Sequence, residues 1–315
     1  MKQVLREDVI AASERIAGCV ERTPLIDARI PGHSVWLKCE CLQTGRAFKL
    51  RGATNRLLQL GEDEKDGGVV AFSSGNHAQG VAIAAKRLGI PAVIVMPADA
   101  PAVKVEATRS HGAEILFYDR NSESREAIAQ RLADERGAVL VPSFDDPAIV
   151  AGQGTVGVEI LDQLGGSPSR IVIPCGGGGL SAGIALACPD SEIAIVEPKG
   201  WDDMKNSLER GQIVPVEADA PPTLCDALQT PRVSPITFAI LKARSVLALS
   251  VSDEEVKRAI RFAWSEHDLI VEPGGAVALA AVLVGKVAPK DGTVIVLSGG
   301  NIDPALHARI VGEGG

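Results

Sequence analysis

Aromatic residues are scarce in this chain of 315 residues: 6 Phe, 3 Trp and 1 Tyr make up 3% of it. With so few rings, the interior must be filled by Ala, Val, Leu and Ile, the palette of an Ala- and Gly-rich α/β protein. Positive charge is also short, since 32 Lys plus Arg face 40 Asp plus Glu for a net charge of −8. That balance argues against a nucleic acid or an anionic membrane surface as partner and for a small molecule. The six cysteines form no CxxC pair and no Cys/His ligand spacing, and read as reduced thiols of a cytoplasmic protein. None of the five histidines falls in an HExxH pattern, and no GxSxG elbow is present. The opening MKQVLREDVIAASERIAG carries charges throughout, so no secretory signal is expected. Residues 171–189 are nineteen uncharged positions in a row, but Pro174, Pro189 and four consecutive glycines exclude a membrane helix.

What is present is alternation. Short β-branched runs such as VVAF (69–72), AVIVM (92–96), EILFY (114–118), AVLV (138–141), RIVIPC (170–175), EIAIVE (192–197), VLALSV (246–251) and TVIVLS (293–298) are mostly separated by amphipathic helical segments. The continuously apolar strands fit parallel sheets buried on both faces, so the fold class is α/β. A length of 315 residues suggests two lobes, and the compact units around 67–142 read as a small domain inserted into a larger one formed by 1–66 and 143–315. In open α/β sheets ligands sit at the carboxyl ends of strands, which directs attention to the loops there.

Four stretches stand out. AFKLRGAT (47–54) sets Lys49 between Phe48 and Leu50. Such a lysine either lays its stem on apolar surface with the ammonium in water, or is an enclosed amine whose lowered pKa frees it to attack a carbonyl. After VVAF comes SSGNHAQG (73–80), which is an ordinary N-cap and turn or an anion site built by Ser73, Ser74, Gly75, Asn76 and His77 at a helix N-terminus. After RIVIPC comes GGGGL (176–180), whose spacing is neither Walker A nor GxGxxG. Gly176, Gly177, Gly178 and Gly179 form either a flexible run or a backbone cup for a phosphate. The last strand ends in LSGGN (297–301), a strand-to-helix turn or a further ligand loop. An enclosed amine, a carboxylate-sized anion site and a phosphate cup together meet the needs of pyridoxal 5′-phosphate, which takes an amine for its Schiff base, a phosphate anchor and a partner for its ring nitrogen.

With FKLRGA, SSGNHAQG, GGGGL and LSGGN in this order, the chain resembles the fold-type-II pyridoxal-phosphate enzymes, and within them the threonine/serine dehydratase and serine racemase branch, from KCE (38–40) to LSGGN. The resemblance implies a fold like the tryptophan synthase β subunit, two open, twisted, mostly parallel-sheet domains with the cofactor between them. It implies that Lys49 carries the cofactor, Phe48 packs near its ring, Asn76 bonds its 3′-hydroxyl, Gly176 to Gly179 hold its phosphate and Ser298 faces its ring nitrogen. The Ser73 to His77 loop would bind the substrate carboxylate, Ser74 would act on the opposite face as in racemases, and Arg131 would lie near the substrate, unless it only pairs with Glu135 at i+4 on the helix surface. The implied activity is an ammonia-lyase turning a β-hydroxy amino acid (L-threonine, L-serine or 3-hydroxyaspartate) into a 2-oxo acid and ammonia, in a homodimer or homotetramer. An amino-acid racemase on the same scaffold and a non-catalytic nucleotide-binding module using GGGGL are the alternatives.

In EPKGWDD (197–203), relatives that bind a divalent cation place a glutamate, a carbonyl and an aspartate where Glu197, Trp201 and Asp203 stand, and oxygen ligands suit Mg²⁺, Mn²⁺ or Ca²⁺. Asp202 and Asp203 could equally cap the following helix. Two departures from the family pattern are Arg46 and Ala47 in TGRAFK, and Ala227 where relatives place a glycine under the cofactor ring.

Overall fold

The computed structural model describes residues 3–100 and 102–312. Among these, ten strands form two sheets. The strands are β1 (Leu25–Asp27), β2 (Val35–Cys39), β3 (Val69–Phe72), β4 (Ala92–Pro97), β5 (Glu114–Tyr118), β6 (Val139–Leu140), β7 (Arg170–Pro174), β8 (Glu192–Pro198), β9 (Leu247–Val251) and β10 (Thr293–Leu297). The larger sheet has the order β1-β2-β10-β7-β8-β9 and the smaller β5-β4-β3-β6. Every pairing is parallel except β1 with β2. The smaller sheet is drawn entirely from one continuous stretch, and the chain on either side of it builds the larger.

The apolar runs are uninterrupted because both faces of each central strand are covered. In β7, Ile171 and Ile173 enter one core and Val172 the other; β8 divides Ile193 and Ile195 from Ala194 and Val196 in the same way, and β10 divides Val294 and Val296 from Ile295 and Leu297. One face packs against the helices Asp253–His267 and Pro273–Leu283, the other against Arg6–Arg15, Pro147–Leu164 and Gly179–Ala187. Each fully buried Ile or Val contributes about 1.5–3 kcal/mol of burial, and these layers fix where the strands end. Strands β1 and β2 were not anticipated. Lys38 interrupts the apolar run of β2, and the pairing of β2 with β10, more than 250 residues away, is what makes it a strand.

Several helices begin and end as their sequences imply. Ser124 accepts from the Ala127 amide at 3.2 Å, and Asp146 accepts from Ile149 at 2.9 Å with Pro147 at the first helical position. HAQGVAIAAKRLG and SREAIAQRLADERG form the helices Asn76–Leu88 and Arg125–Arg136, closed by Gly89 and Gly137. No helix among the described residues is long and apolar enough to cross a membrane.

Candidate active site

Lys49 opens the helix Lys49–Leu57 directly after Phe48. That helix starts with neither a side-chain cap nor an acidic residue, so something else must hold it. The anchor is Arg51, which is fully buried: its Nε and Nη2 donate to the Glu40 carboxylate at 2.8 Å each, and Nη1 donates to Glu159 at 2.6 Å. Lys38 Nζ closes the set, donating to Glu159 at 2.6 Å, to the Thr23 carbonyl at 2.8 Å and to Gln163 at 3.0 Å. Two cations and two carboxylates balance, and each head group is hydrogen-bonded, the condition under which buried charge is tolerated. Burial pushes the Glu40 carboxyl up, but the Arg51 guanidinium outweighs it and holds the group below its ordinary value; burial pulls Lys38 down despite Glu40 and Glu159.

From this anchored turn the Lys49 amine, partly buried, donates to the Ser143 carbonyl at 2.9 Å and lies 5.2 Å from the centre of the Phe48 ring. Desolvation pulls it down to about 8, partly opposed by the Glu272 carboxylate. The helix Asn76–Leu88 comes so close beneath it that a Cβ at Gly80 would fall 3.0 Å from the Lys49 carbonyl carbon.

The same Ser143–Phe144 segment touches the glycine loop. A Cβ at Gly177 would fall 2.3 Å from the Phe144 ring, and the Gly177 carbonyl accepts from Thr237 Oγ1 at 2.8 Å. Gly178 has φ of +84°, a left-handed conformation that costs glycine nothing, and the ladder of the helix Gly179–Ala187 starts with the Ala182 amide bonding Gly178 O at 2.8 Å. The amides ahead of Ala182 are therefore outside the helix ladder, and those of Gly176 to Gly179 lie on backbone without side chains, which fits a cradle for a phosphate.

The serine-rich turn follows β3. Ser73 Oγ accepts from the Gly75 amide at 3.1 Å, leaving the first amides of Asn76–Leu88 ahead of the ladder, with Ser74 half-buried between them. His77 Nε2 meets the Val141 carbonyl at 2.9 Å; because a carbonyl only accepts, that nitrogen carries the hydrogen. Nδ1 is buried without a partner, and burial together with the Lys49 charge lowers the ring to about 3, so it is neutral. Ser298 is buried, its carbonyl accepting from the Phe48 amide at 3.2 Å. Asn76 spans the gap, donating to Glu272 at 2.5 Å and accepting from Asn301 at 2.8 Å.

The structure thus draws together Phe48, Lys49, the Ser73 to His77 turn, Gly176 to Gly179 and Ser298. Arg131 is left out. Its helix packs on β3 and β4, but its guanidinium is exposed and sits 3.9 Å from Glu135 one turn on. Of the two readings that the sequence left for Arg131, substrate contact and a surface pair with Glu135, the exposed pair is the one seen here.

Glu197, Trp201 and Asp203 form a separate place at the end of β8. Glu197 accepts from the Met204 and Lys205 amides at 3.0 and 2.8 Å. Asp202 accepts from the Gly200 amide at 3.2 Å instead of capping the helix Asp203–Arg210. Both Asp203 oxygens are buried without a partner, and burial raises this carboxyl to about 7. The amides of Asp203 and Val233 only partly offset that rise, neither reaching hydrogen-bond geometry. Glu197 is raised too, by burial first and by Asp203 second. Among the described residues no three His, Cys, Asp or Glu side chains gather as a metal cluster, so a cation here would rest on two carboxylates and backbone or water oxygens.

The departures are absorbed locally. Arg46 takes φ of 56° and its carbonyl accepts from the Gly300 amide at 2.8 Å, while Ala47 forms an isolated bridge to Gly299. A Cβ at Gly274 would lie 3.3 Å from that of the exposed Ala227. Sequence reasoning missed Glu272, Asn301, Ser143 and Phe144. A carboxylate directly before Pro-Gly-Gly at a helix start was the available signal for Glu272, and Asn301 closes the LSGGN motif.

Comparison with known proteins bears on the whole arrangement. The family described as pyridoxal-phosphate-dependent enzyme matches residues 16–299. An L-threo-3-hydroxyaspartate ammonia-lyase of a Pseudomonas species is 42% identical over 313 residues, covering 96% of this chain and 97% of that relative. An L-threonine ammonia-lyase of Thermotoga maritima is 38% identical over 98% of this chain and 78% of its own length. The solved structure of maize serine racemase superposes with a TM-score of 0.92 at 35% identity, covering 99% and 98% of the two chains.

Proposed function

The chain belongs to the pyridoxal-phosphate-dependent enzyme family, and from that premise we propose that it is an ammonia-lyase removing water and then ammonia from a β-hydroxy amino acid. The observation that carries the reading is the Lys49 amine, held at about 8 beside the glycine loop. A large fraction of it is neutral near pH 8, where an ordinary lysine is not, so it can serve as nucleophile and as base. The Gly176 to Gly179 backbone would hold the phosphate, and Phe48 would flank the ring. When bound, pyridoxal phosphate draws electrons from the substrate Cα and makes its proton removable. Lys49 would take that proton, while the Ser73 to His77 turn, at a helix N-terminus, would hold the substrate carboxylate in place. Neutral His77 adds no charge of its own to that hold. Ser298 would offer the ring nitrogen a hydroxyl, where a carboxylate would keep that nitrogen protonated, and this would limit electron withdrawal and favour departure of the β-hydroxyl.

A second reading, racemisation on the same scaffold, is favoured by Ser74, which sits half-buried in the carboxylate turn where the resemblance assigns the opposite-face proton donor. Each reading takes the protein to act in the cytoplasm on a small-molecule amino acid, as a homodimer or homotetramer, in keeping with six free thiols. Glu197, Asp203 and the Trp201 carbonyl would take up a divalent cation; the unpartnered Asp203 oxygens support this.

The test is product analysis of the cofactor-loaded enzyme with L-serine, L-threonine and L-threo-3-hydroxyaspartate. Keto acid and ammonia in equal amounts, lost in Lys49→Ala, are expected. D-amino acid without keto acid would replace this reading by the second, and no turnover of any of the three would sink both.

A further inference from the structure

Asn76 is held by two residues to which the sequence motifs gave no role, Glu272 and Asn301, and their chemistry fixes which way its amide faces. The chain of hydrogen bonds starts at the Gly45 carbonyl, which can only accept. Asn301 Nδ2 donates to it at 2.9 Å, so the nitrogen of Asn301 is identified without ambiguity. The second hydrogen of that nitrogen goes to Asn76 at 2.8 Å, so the atom it meets must be the Asn76 oxygen. The Asn76 nitrogen therefore faces the other way and donates to Glu272 Oε1 at 2.5 Å, the orientation that an acceptor there requires. One Nδ2 hydrogen of Asn76 is left uncommitted. Gly299 closes over the arrangement: a Cβ there would fall 2.1 Å from Glu272 Oε1 and 3.2 Å from Asn76 Nδ2, which places the amide against the neighbour of Ser298. The clasp also ties three separate stretches together, because the Glu272 amide donates to Gly299 O at 3.0 Å and the Gly300 amide to Arg46 O at 2.8 Å.

We infer that Asn301 and Glu272 are positioning residues that lock Asn76 as a hydrogen-bond donor, so that it can meet the cofactor's ring oxygen only when that oxygen is an acceptor. The inference rests on the cofactor reading above and on Asn76 standing beside the ring oxygen. A ring oxygen that accepts from Asn76 is favoured in its deprotonated form, since a protonated one would have to turn its own hydrogen elsewhere. An unlocked Asn76 could rotate its amide, offer its oxygen instead and stabilise the protonated form equally well.

The experiment compares wild type, Asn76→Ala, Asn301→Ala and the double variant Asn76→Ala/Asn301→Ala. Each is read by the dissociation constant for pyridoxal phosphate, by the ratio of the visible band (ring oxygen deprotonated) to the near-ultraviolet band (protonated), and by the melting temperature without cofactor. Loss of one charge-independent hydrogen bond predicts roughly tenfold weaker cofactor binding for Asn301→Ala, with the spectrum moved toward the near-ultraviolet band. In the Asn76→Ala background, removing Asn301 should change neither quantity further. Glu272→Gln keeps an acceptor facing Asn76 and should restore the spectrum that Glu272→Ala disturbs. Should Asn301→Ala prove too unstable to load, the isosteric Asn301→Asp keeps the shape but cannot donate, and carries the same expectation. Additive losses in the double variant, or an unchanged spectrum in Asn301→Ala, overturn the lock. Wild type that takes up no cofactor sinks the cofactor reading instead, an outcome told apart by that sample alone.

Discussion

Two acidic pairs among the described residues, Glu40 with Glu159 and Glu197 with Asp203, are treated in opposite ways. Glu40 and Glu159 meet Arg51 and Lys38 in a neutral set whose every head group is bonded. Glu197 and Asp203 share the end of β8 with no cation in contact, Glu197 taking two backbone amides and Asp203 nothing. Burying a carboxylate without a partner costs several kcal/mol, so the first pair is explained by the fold and the second is not. Buried charge that the protein itself satisfies is architecture, here the anchor of the turn that presents Lys49. Buried carboxyls left without a cation are instead pushed up by burial, Asp203 to about 7 and Glu197 above its ordinary value.

The largest effect should come from breaking the matched pair. Arg51→Ala would strand Glu40 in a dry interior, and removal of one partner from a buried ion pair costs about 3–5 kcal/mol. Denaturant unfolding of the cofactor-free protein measures it; a loss below about 1 kcal/mol, the range of an exposed pair, would erase the distinction between the two sites.

The unmatched pair should show the reverse dependence. Saturating Mn²⁺ or Ca²⁺ should stabilise wild type by about 2–3 kcal/mol at a hundredfold excess over its Kd, seen as a concentration-dependent rise in Tm, and Asp203→Asn should abolish the rise. An equal rise in the variant would place the cation elsewhere.

Lys49 and Glu272 lie between the extremes: the Glu272 carboxylate partly opposes the fall of Lys49, but the two are not hydrogen-bonded to each other. Burial raises Glu272 from 4.5 to about 7, with Asp226 adding to it. A raised folded value means its contribution is complete below pH 4.5 and is lost as pH climbs through 7. Lys49 is lowered from 10.5 to about 8, so its contribution is complete above pH 10.5 and lost as pH falls through 8. The cofactor-free protein should therefore lose stability relative to Glu272→Gln between pH 4.5 and 7, and gain it relative to Lys49→Met between pH 8 and 10.5. Parallel curves for wild type and either variant would show that the group is solvated.

These contrasts also mark what the sequence could carry. The fold was legible wherever a strand is apolar on both faces, as in β7 and β10, because burial then dictates composition. Strand β2 was not, since Lys38 looks solvent-bound until Glu159 and Gln163, 121 and 125 residues away, are seen to receive it. The glycine loop and Lys49 stood out as candidates because backbone cups and enclosed amines restrict residue type locally. Glu272 and Asn301 act through Asn76, 196 and 225 residues distant, and no local pattern records a hydrogen bond of that span. Arg131 left two readings open, a substrate-side guanidinium from the family pattern and a surface pair with Glu135, and only the packed helix, which exposes it, favours the second.

That arginine supplies the smallest effect, and the sharpest limit on the comparison. Its pair with Glu135 is long, at 3.9 Å, and both side chains are exposed, at 66% and 62%. In such a setting solvent screens the attraction and ordering two long side chains offsets what remains, so Arg131→Ala should change stability by no more than about 0.5 kcal/mol. A bidentate hold on a second substrate carboxylate would behave differently, costing a dicarboxylate roughly 2 kcal/mol in kcat/KM while sparing monocarboxylates. Measuring kcat/KM for L-serine, L-threonine and L-threo-3-hydroxyaspartate in both proteins separates the cases. Because the guanidinium faces water on the outer side of the smaller sheet's helix layer, the three ratios should stay equal to those of wild type. A selective fall for hydroxyaspartate would mean that the small lobe rotates this helix into the site when substrate binds, and that exposure in the unliganded form does not mark a residue as idle.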